Sequence, residues 1–269
     1  MMKLSWIATS AIACMLALAL EVIAFAGWFR PRTPAVAPRV QAQLVQRAAA
    51  APTQAPVVAA PAPAVDALPP RAEDSYYAQL RTKIRWVETR VGDDKLLTPD
   101  AESRMLLAKS AAERANLDDV GLTFKDVYGI INAETSWIPR MGASKDGTPN
   151  LGIAQFEPAT AKGLGLRNPE DPVESIHVAA MHMKEAAEWS ARRLAGLKLG
   201  ATERATKLRE GVSIFYNLSV KGRNKWNGRN TAKLPIETQL HIRNARSGAQ
   251  RAAELEAMSR SAGFMVAGN

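Results

Sequence analysis

The sequence predicts a mostly α-helical domain, and two observations carry that prediction. Apolar residues recur at spacings of three and four through most of the chain beyond residue 76, which is typical of amphipathic helices. Several of these stretches open with a residue favoured at helix starts: Thr98, Thr123 and Asp171. Helical periodicity fails between residues 140 and 151, where the Asp146-Gly147 pair predicts a tight turn within a short loop or β-hairpin.

Composition divides the chain into four parts. The 269 residues are enough for one good-sized domain with accessory segments. We expect a signal peptide or membrane anchor at 1–30, a Pro/Ala-rich linker at 31–75, leading helices at 76–119 and the main helical domain at 120–258.

The N-terminal segment predicts export. Leu4–Phe25 is almost entirely apolar, with Lys3 before it and the small-residue run Ala24-Phe25-Ala26 at its end, which fits a secretory signal cleaved after Ala26. The segment is also long enough to span a bilayer, so an uncleaved anchor in the inner membrane is an alternative. Arg30 and Arg32 count against both, because positive charge prefers the cytoplasmic side. Export to the periplasm is the expectation.

The region after this segment predicts a disordered tether. Residues 30–70 hold nine of the 16 prolines among alanines and valines, without aromatic residues or hydrophobic periodicity. Such a composition cannot bury enough surface to fold. The tether either lets the domain reach a layer some distance from the bilayer or serves only as a spacer. The single cysteine, Cys14, lies before it in the apolar segment, so no disulfide is expected in the domain.

Two leading helices are predicted before residue 119. Apolar spacing predicts the first, through Tyr77, Leu80, Ile84, Val87 and Val91. Thr98-Pro99-Asp100 opens the second, with threonine at the N-cap and proline in the first turn, and this helix should run to about Leu117.

The next helix brings a carboxylate onto an apolar face. Its stripe follows the spacing of one helix face through Phe124, Val127, Ile130, Ile131 and Glu134. Thr123 with Asp126 resembles a capping box that sets the helix start. Burial among apolar residues disfavours a charged carboxylate, so Glu134 could hold a proton near neutral pH and act as a general acid. The plainer interpretation is a helix-end glutamate in a salt bridge or in water.

Later helices complete the predicted domain. Asp171-Pro172 with Glu174 opens what the pattern indicates is the longest helix, and a final pair covers Arg204–Leu218 and Ile236–Met258. His177 and His182 are five residues apart on different faces of one helix, and no Glu or Cys completes a zinc set. Neither a metal nor another cofactor is expected.

A series of motifs carries a family resemblance. Five segments follow one another between residues 120 and 245: Glu134-Thr135-Ser136-Trp137-Ile138-Pro139, Gly152–Ala161, Asp171-Pro172, Phe215-Tyr216-Asn217 and Pro235-Ile236-Glu237-Thr238. Each is weak alone, but the ordered series resembles the soluble lytic transglycosylase family. The resemblance implies a lysozyme-like fold, a peptidoglycan substrate, cleavage of the bond between N-acetylmuramic acid and N-acetylglucosamine, and a 1,6-anhydro product.

The resemblance also implies roles for particular residues. Glu134 would be the catalytic acid and base, and the substrate-binding residues would be Ser144, Gln155, Phe156, Tyr216 and Asn217. Purely structural roles are also open: a half-buried core aromatic for Tyr216 and satisfied buried amides for Gln155 and Asn217.

The chain departs from the family pattern at three positions. Thr135 stands where the family usually has serine, and Ala154 stands at a methionine position in the turn. His241 replaces the tyrosine that usually follows the Glu-Thr pair, here Glu237-Thr238, which leaves the structural role of that position open.

The motifs contain one strong acid candidate, whereas most glycosidases use two carboxylates. Asp146 beside Gly147 is better explained by turn formation, and Glu157 before Pro158 by a helix start. A single acid requires an intramolecular reaction. Glu134 would protonate the leaving oxygen, the acetamido group of the substrate would stabilise the sugar cation, and Glu134 would then accept the proton of the 6-hydroxyl.

Three rival functions come from different classes. The chain has 35 Lys and Arg against 26 Asp and Glu, a basic balance that is also typical of nucleic-acid-binding proteins. The charges are scattered along the chain, however, and an anionic cell-wall polymer is the simpler partner for an exported basic protein. The second rival is a wall-binding scaffold that recruits a secretion or conjugation machine, and the third is a goose-type lysozyme that uses water. The sequence favours glycan strands of peptidoglycan as the partner and no nucleic acid.

Overall fold

The structure, a computed structural model, describes residues 72–144 and 146–267. The predicted export segment, Cys14 and nearly all of the predicted linker lie outside the described residues. No helix within the described part is long and apolar enough to cross a membrane.

Helices dominate the described residues, as the sequence predicts. The α-helices are Ala72–Lys83 (α1), Ala101–Arg114 (α2), Phe124–Thr135 (α3), Pro158–Gly163 (α4), Pro172–Leu194 (α5), Ala201–Asn217 (α6), Val220–Arg223 (α7) and Ile236–Ala267 (α8). Short 3-10 helices cover Leu117–Val120 and Thr231–Lys233. Two antiparallel hairpins pair Trp86–Val91 (β1) with Asp94–Pro99 (β2) and Gly142–Ala143 (β3) with Pro149–Asn150 (β4). The β3–β4 hairpin confirms the predicted insertion after the Glu134 helix.

The prediction of one helix from Tyr77 to Val91 is wrong in its second half. Helix α1 ends at Lys83, and Val87 and Val91 lie in β1. These valines and Thr89 also alternate with a period of two, and β-branched residues favour strands, so the strand pattern prevails where the partner strand β2 is available.

The predicted start of α2 is displaced by two residues. Asp100, not Thr98, is the N-cap, and its carboxylate accepts a hydrogen bond from the backbone N–H of Ser103 at 2.8 Å. Thr98 and Pro99 belong to β2, because their backbone continues the extended strand up to the cap.

Other predicted helix starts are confirmed. The Thr123–Asp126 capping box opens α3, and the Asp171 carboxylate accepts hydrogen bonds from the first backbone N–H groups of α5. Helix α5 has 23 residues, but α8 has 32, so α5 is not the longest described helix. Helix α8 also continues past the predicted end at Met258, to Ala267.

Helix α3 is central to the core and packs against α2, α5 and α8. The middle of the predicted stripe is buried, with Val127 and Ile131 fully inaccessible to solvent, whereas Phe124 and Glu134 at its two ends are partly exposed. Helices α3 and α8 cross closely at Gly129, where an added Cβ would overlap the carbonyl oxygen of Ala245. This close crossing aligns the end of α3 with the first turns of α8.

Replacing Gly129 tests the α3–α8 crossing. We expect Gly129→Ala to lower the free energy of unfolding by about 1–3 kcal/mol, because the methyl group has no space between the two backbones. Gly163→Ala is the matched control, since open space surrounds that position, and it should be neutral or slightly stabilising. Urea unfolding of both variants measures the difference. Equal effects would contradict the close crossing.

A second prediction concerns His177, which is buried against the rings of Tyr76 and Tyr77. Burial lowers the pKa of His177 to about 4 from 6.5, although a hydrogen bond to the carbonyl of Val173 opposes the shift. The unfolded chain therefore binds more protons than the folded chain between these values. The resulting stability is fully present above about pH 6.5 and is lost as the pH falls towards 4.

His177→Phe should remove this contribution while keeping an aromatic ring. Between about pH 7 and about pH 4.5, we expect wild type to lose roughly 2 kcal/mol more stability than the variant. Urea unfolding of both proteins at several pH values gives this difference, in which the other titrating groups cancel. Parallel pH dependences would show that His177 is not buried in its neutral form.

Candidate active site

Glu134 lies in the last turn of α3 with its carboxyl group half-buried. Its side chain is 15% exposed, and its Oε1 atom is 2.8 Å from Nε2 of His241. His241 lies in the second turn of α8 and is 5% exposed. The acid therefore has one oxygen paired with a buried imidazole from a helix more than 100 residues away along the chain.

The end of α3 is held in an unusual backbone conformation. Ser136 and Trp137 both have left-handed φ angles, of 55° and 68°, which cost energy in residues with a side chain. Burial of the Trp137 ring against Tyr128 offsets this cost, and its indole N–H donates to the Tyr128 carbonyl at 3.3 Å. The Thr98 hydroxyl of β2 donates to the Trp137 carbonyl at 2.7 Å. The β1–β2 hairpin is thus hydrogen-bonded to the segment that follows α3.

Arg140 places a positive charge beside the acid. Its guanidinium donates to the carbonyls of Thr135 at 3.0 Å and Glu134 at 3.4 Å, where cations favourably meet the negative end of the helix dipole. Burial lowers the pKa of Arg140, and the charge of Glu134 partly offsets that effect.

The Gly152–Gln155 turn lies against the end of α3. Gly152 has a φ of 67°, and a side chain there would overlap the carbonyl of Pro169, so the position requires glycine. Gln155 is half-buried, and its amide nitrogen donates to the carbonyls of Arg140 at 2.7 Å and Gly152 at 2.8 Å. The amide nitrogen is therefore committed to backbone, as the structural role considered for Gln155 requires.

Two side-chain hydroxyl groups donate hydrogen bonds to backbone carbonyls of the Gly152–Gln155 turn. Thr135, fully buried, donates to the carbonyl of Ile153 at 2.8 Å, and the Tyr216 phenol donates to the carbonyl of Ala154 at 3.3 Å. Burial raises the pKa of Tyr216 well above its ordinary value, and the charge of Glu134 raises it further. Tyr216 is thus a neutral donor at physiological pH. The hydroxyl after the glutamate acts as a structural link between helix and turn.

Phe156 is 3% exposed and belongs to an aromatic cluster. Its ring lies 5.9 Å from that of Tyr216 and 6.4 Å from that of His182, which in turn lies 5.2 Å from Phe215. This packing helps to hold the ring of Tyr216 in place. Phe156 thus has a packing role in the core, and its predicted role in substrate binding stays a prediction.

Ser144 and Asn217 make contacts of their own. The Ser144 hydroxyl donates to Glu157 at 2.6 Å and thereby ties the β3–β4 loop to the start of α4. Asn217 accepts a hydrogen bond from the buried hydroxyl of Thr238 at 2.8 Å, which links the end of α6 to the first turn of α8. Of the six sequence-predicted site residues, the structure brings Glu134, Gln155 and Tyr216 around one turn and the end of α3.

The other acidic candidates have structural partners. Asp146 is exposed and accepts from the backbone N–H of Thr148 at 3.0 Å, a contact that lowers the pKa of its carboxyl, so its role is turn formation. Glu157 occupies the N-cap position of α4, but its side chain bonds to Ser144 and not to the helix. No cluster of three or more His, Cys, Asp or Glu residues that could hold a metal occurs in the described part of the chain.

Sequence reasoning did not assign a role to His241 or Arg140. His241 drew notice only as a departure from a family pattern, and its distance of 107 positions from Glu134 gave no local signal of contact. Arg140 had a weak local signal, since basic residues often follow helix ends.

Glu134 lines neither of two described cavities, of about 380 and 500 Å³, which lie along α6.

Comparisons with known proteins give a partial similarity. No family model matches the chain, and no solved structure matches it. A protein named transglycosylase, from Enterobacteria phage PRD1, is 34% identical over 76 residues, which is 28% of this chain. The matched part spans about a quarter, 26%, of the phage protein. This similarity confirms the resemblance to transglycosylases that the motif series indicated.

Thr135→Val tests the link between α3 and the Gly152–Gln155 turn. Valine keeps the shape but removes the donor to the buried carbonyl of Ile153, so we expect a loss of about 1–3 kcal/mol in unfolding free energy. Thr206→Val is the matched control, because Thr206 is exposed and its hydroxyl bonds only within its own helix, to Thr202. It should change stability by less than about 0.5 kcal/mol. Similar losses in urea unfolding would reject the link.

Proposed function

We propose that the protein is a lytic transglycosylase of lysozyme-like architecture. It would cleave the β-1,4 bond between N-acetylmuramic acid and N-acetylglucosamine in peptidoglycan and leave 1,6-anhydromuramoyl ends. One observation carries the proposal: a half-buried glutamate at a helix end, with one carboxyl oxygen held by a buried histidine. The partial similarity to a phage transglycosylase supports the same reaction class.

The surroundings of Glu134 support a mechanism with one carboxyl group. Among the described residues, the titratable or charged groups recorded in contact with Glu134 or influenced by its charge are His241, Arg140 and Tyr216. None of these is a second carboxylate of the kind that ordinary glycosidases place across the bond. The attacking oxygen is therefore expected to come from the substrate.

The proposed reaction balances without water. Glu134 gives its proton to the leaving glycosidic oxygen as the bond to the anomeric carbon breaks, and the acetamido oxygen of the substrate stabilises the cationic carbon. The 6-hydroxyl oxygen then bonds to that carbon while its proton returns to Glu134. Glu134 ends in its starting form, and the two products together have the mass of the substrate.

The location and wider role follow the same proposal. The excess of basic residues suits an anionic cell-wall polymer, and the N-terminal segment would deliver the domain to the periplasm and be its only link to the inner membrane. A secretion or conjugation machine of the cell envelope is the class of assembly that such a wall opening would serve.

Protease added to spheroplasts should degrade the domain, and protection from the protease would contradict this location.

Digestion of purified sacculi tests the reaction. We expect wild type to release muropeptides with anhydro ends, and Glu134→Gln to lower turnover by at least about 100-fold, since the amide cannot donate or accept the proton. Asp146→Asn is the control and should keep nearly full activity. Mass spectrometry separates the rival functions, because products heavier by one water indicate a lysozyme and no products indicate a wall-binding scaffold. An active Glu134→Gln variant with an intact fold would reject the assignment of the acid.

A further inference from the structure

His241 contacts Glu134 with one ring nitrogen and leaves the other without a partner. The Nε2 atom is 2.8 Å from Glu134 Oε1. The Nδ1 atom is fully buried and has no hydrogen-bond partner among the described residues. The two nitrogens of one imidazole therefore have very different surroundings.

This difference selects one protonation state of the ring. A proton on Nδ1 would be a buried N–H without an acceptor, which is unfavourable, and orphaned buried N–H groups are rare in proteins. An imidazolium would carry the same unpaired N–H together with a buried charge. The neutral ring with its proton on Nε2 avoids both costs. In that form Nε2–H donates to Glu134 Oε1.

We infer that His241 is the positioning residue of Glu134, a hydrogen-bond donor that occupies Oε1 and leaves Oε2 as the one oxygen that delivers and recovers the catalytic proton. The inference rests on the proposed function and adds a residue to it. His241 acts through Glu134 and keeps its own proton throughout the reaction.

The other polar groups near Glu134 and His241 bind backbone carbonyls and do not contact the carboxyl oxygens. Arg140, from the segment after α3, directs its guanidinium to backbone carbonyls and not to the carboxyl oxygens. Tyr216, from α6, donates its phenol to the carbonyl of Ala154. Its ring lies nearly parallel to that of His241, with 6.5 Å between centroids and 18° between planes, so it also limits the tilt of the imidazole.

A neutral donor suits both forms of the acid. When Glu134 is protonated on Oε2, Oε1 is a carbonyl oxygen that still accepts from Nε2–H. When the proton has left, the same N–H stabilises the carboxylate until the 6-hydroxyl returns a proton. Both transfers use the same oxygen, so the acid needs no rotation between steps.

Nitrogen NMR of the full-length protein with labelled histidine tests the protonation state. The chain has three histidines, so the loss of one set of signals in His241→Phe assigns the residue. We expect a protonated Nε2 and an unprotonated Nδ1 near neutral pH, with the Nε2 signal shifted in Glu134→Gln. A proton on Nδ1, or protons on both nitrogens, would overturn the inference whether or not the protein cleaves sacculi.

Kinetics test the role in turnover. His241→Phe keeps a ring beside Tyr216 but loses the donor, so kcat should fall roughly 10- to 100-fold, the effect of one hydrogen bond to a charged group, with KM nearly unchanged. His241→Gln restores an N–H donor and should recover most of the loss. Unfolding curves confirm that both variants fold. An unimpaired His241→Phe, or a His241→Gln variant as slow as it, would overturn the positioning role.

The outcomes separate this inference from the proposed function. A wild-type protein that releases no anhydro muropeptides rejects the proposed function and with it any role of His241 in turnover, whatever NMR reports on the hydrogen bond. An active wild type with an unaffected His241→Phe rejects the positioning role alone.

Discussion

The close crossing of α3 and α8 is the contact on which the candidate site depends. Glycine at position 129 lets the backbone of α3 reach the carbonyl of Ala245. The amide of Asn132 donates to the carbonyl of Asn244 at 3.1 Å and adds a polar link one turn further on. Because helices are stiff over such distances, this crossing determines where the first turns of α8 lie. It therefore places His241 against Glu134, a contact that neither helix could make alone.

Most polar side chains around Glu134 form hydrogen bonds with backbone carbonyls and not with one another. Thr135 and Tyr216 bind carbonyls of the Gly152–Gln155 turn, Gln155 binds backbone on both sides of that turn, and Arg140 binds the end of α3. The direct side-chain partner of the Glu134 carboxyl is His241. Such an arrangement preorganises one carboxyl group, because the surrounding backbone is tied down and one carboxyl oxygen is already bound.

Several residues of the motif series thus have structural roles in this chain. The threonine after the glutamate, the glutamine of the turn and the asparagine after Tyr216 each satisfy a buried or adjoining polar group. A motif can persist for such reasons even where its residues never touch a ligand. Substrate binding by Gln155 and Asn217 therefore stays a prediction of the proposed function.

Local pattern determined the helical class, the capping of α3 and α5, the turn at Asp146-Gly147 and the apolar stripe that carries Glu134, because these depend on neighbours within a few residues. Only the tertiary structure decided that Val87 and Val91 form a strand, since a strand needs a partner. Tertiary packing likewise decided that His241 is the partner of Glu134. Contacts between distant residues follow from how helices cross, and no periodicity within either helix encodes that crossing.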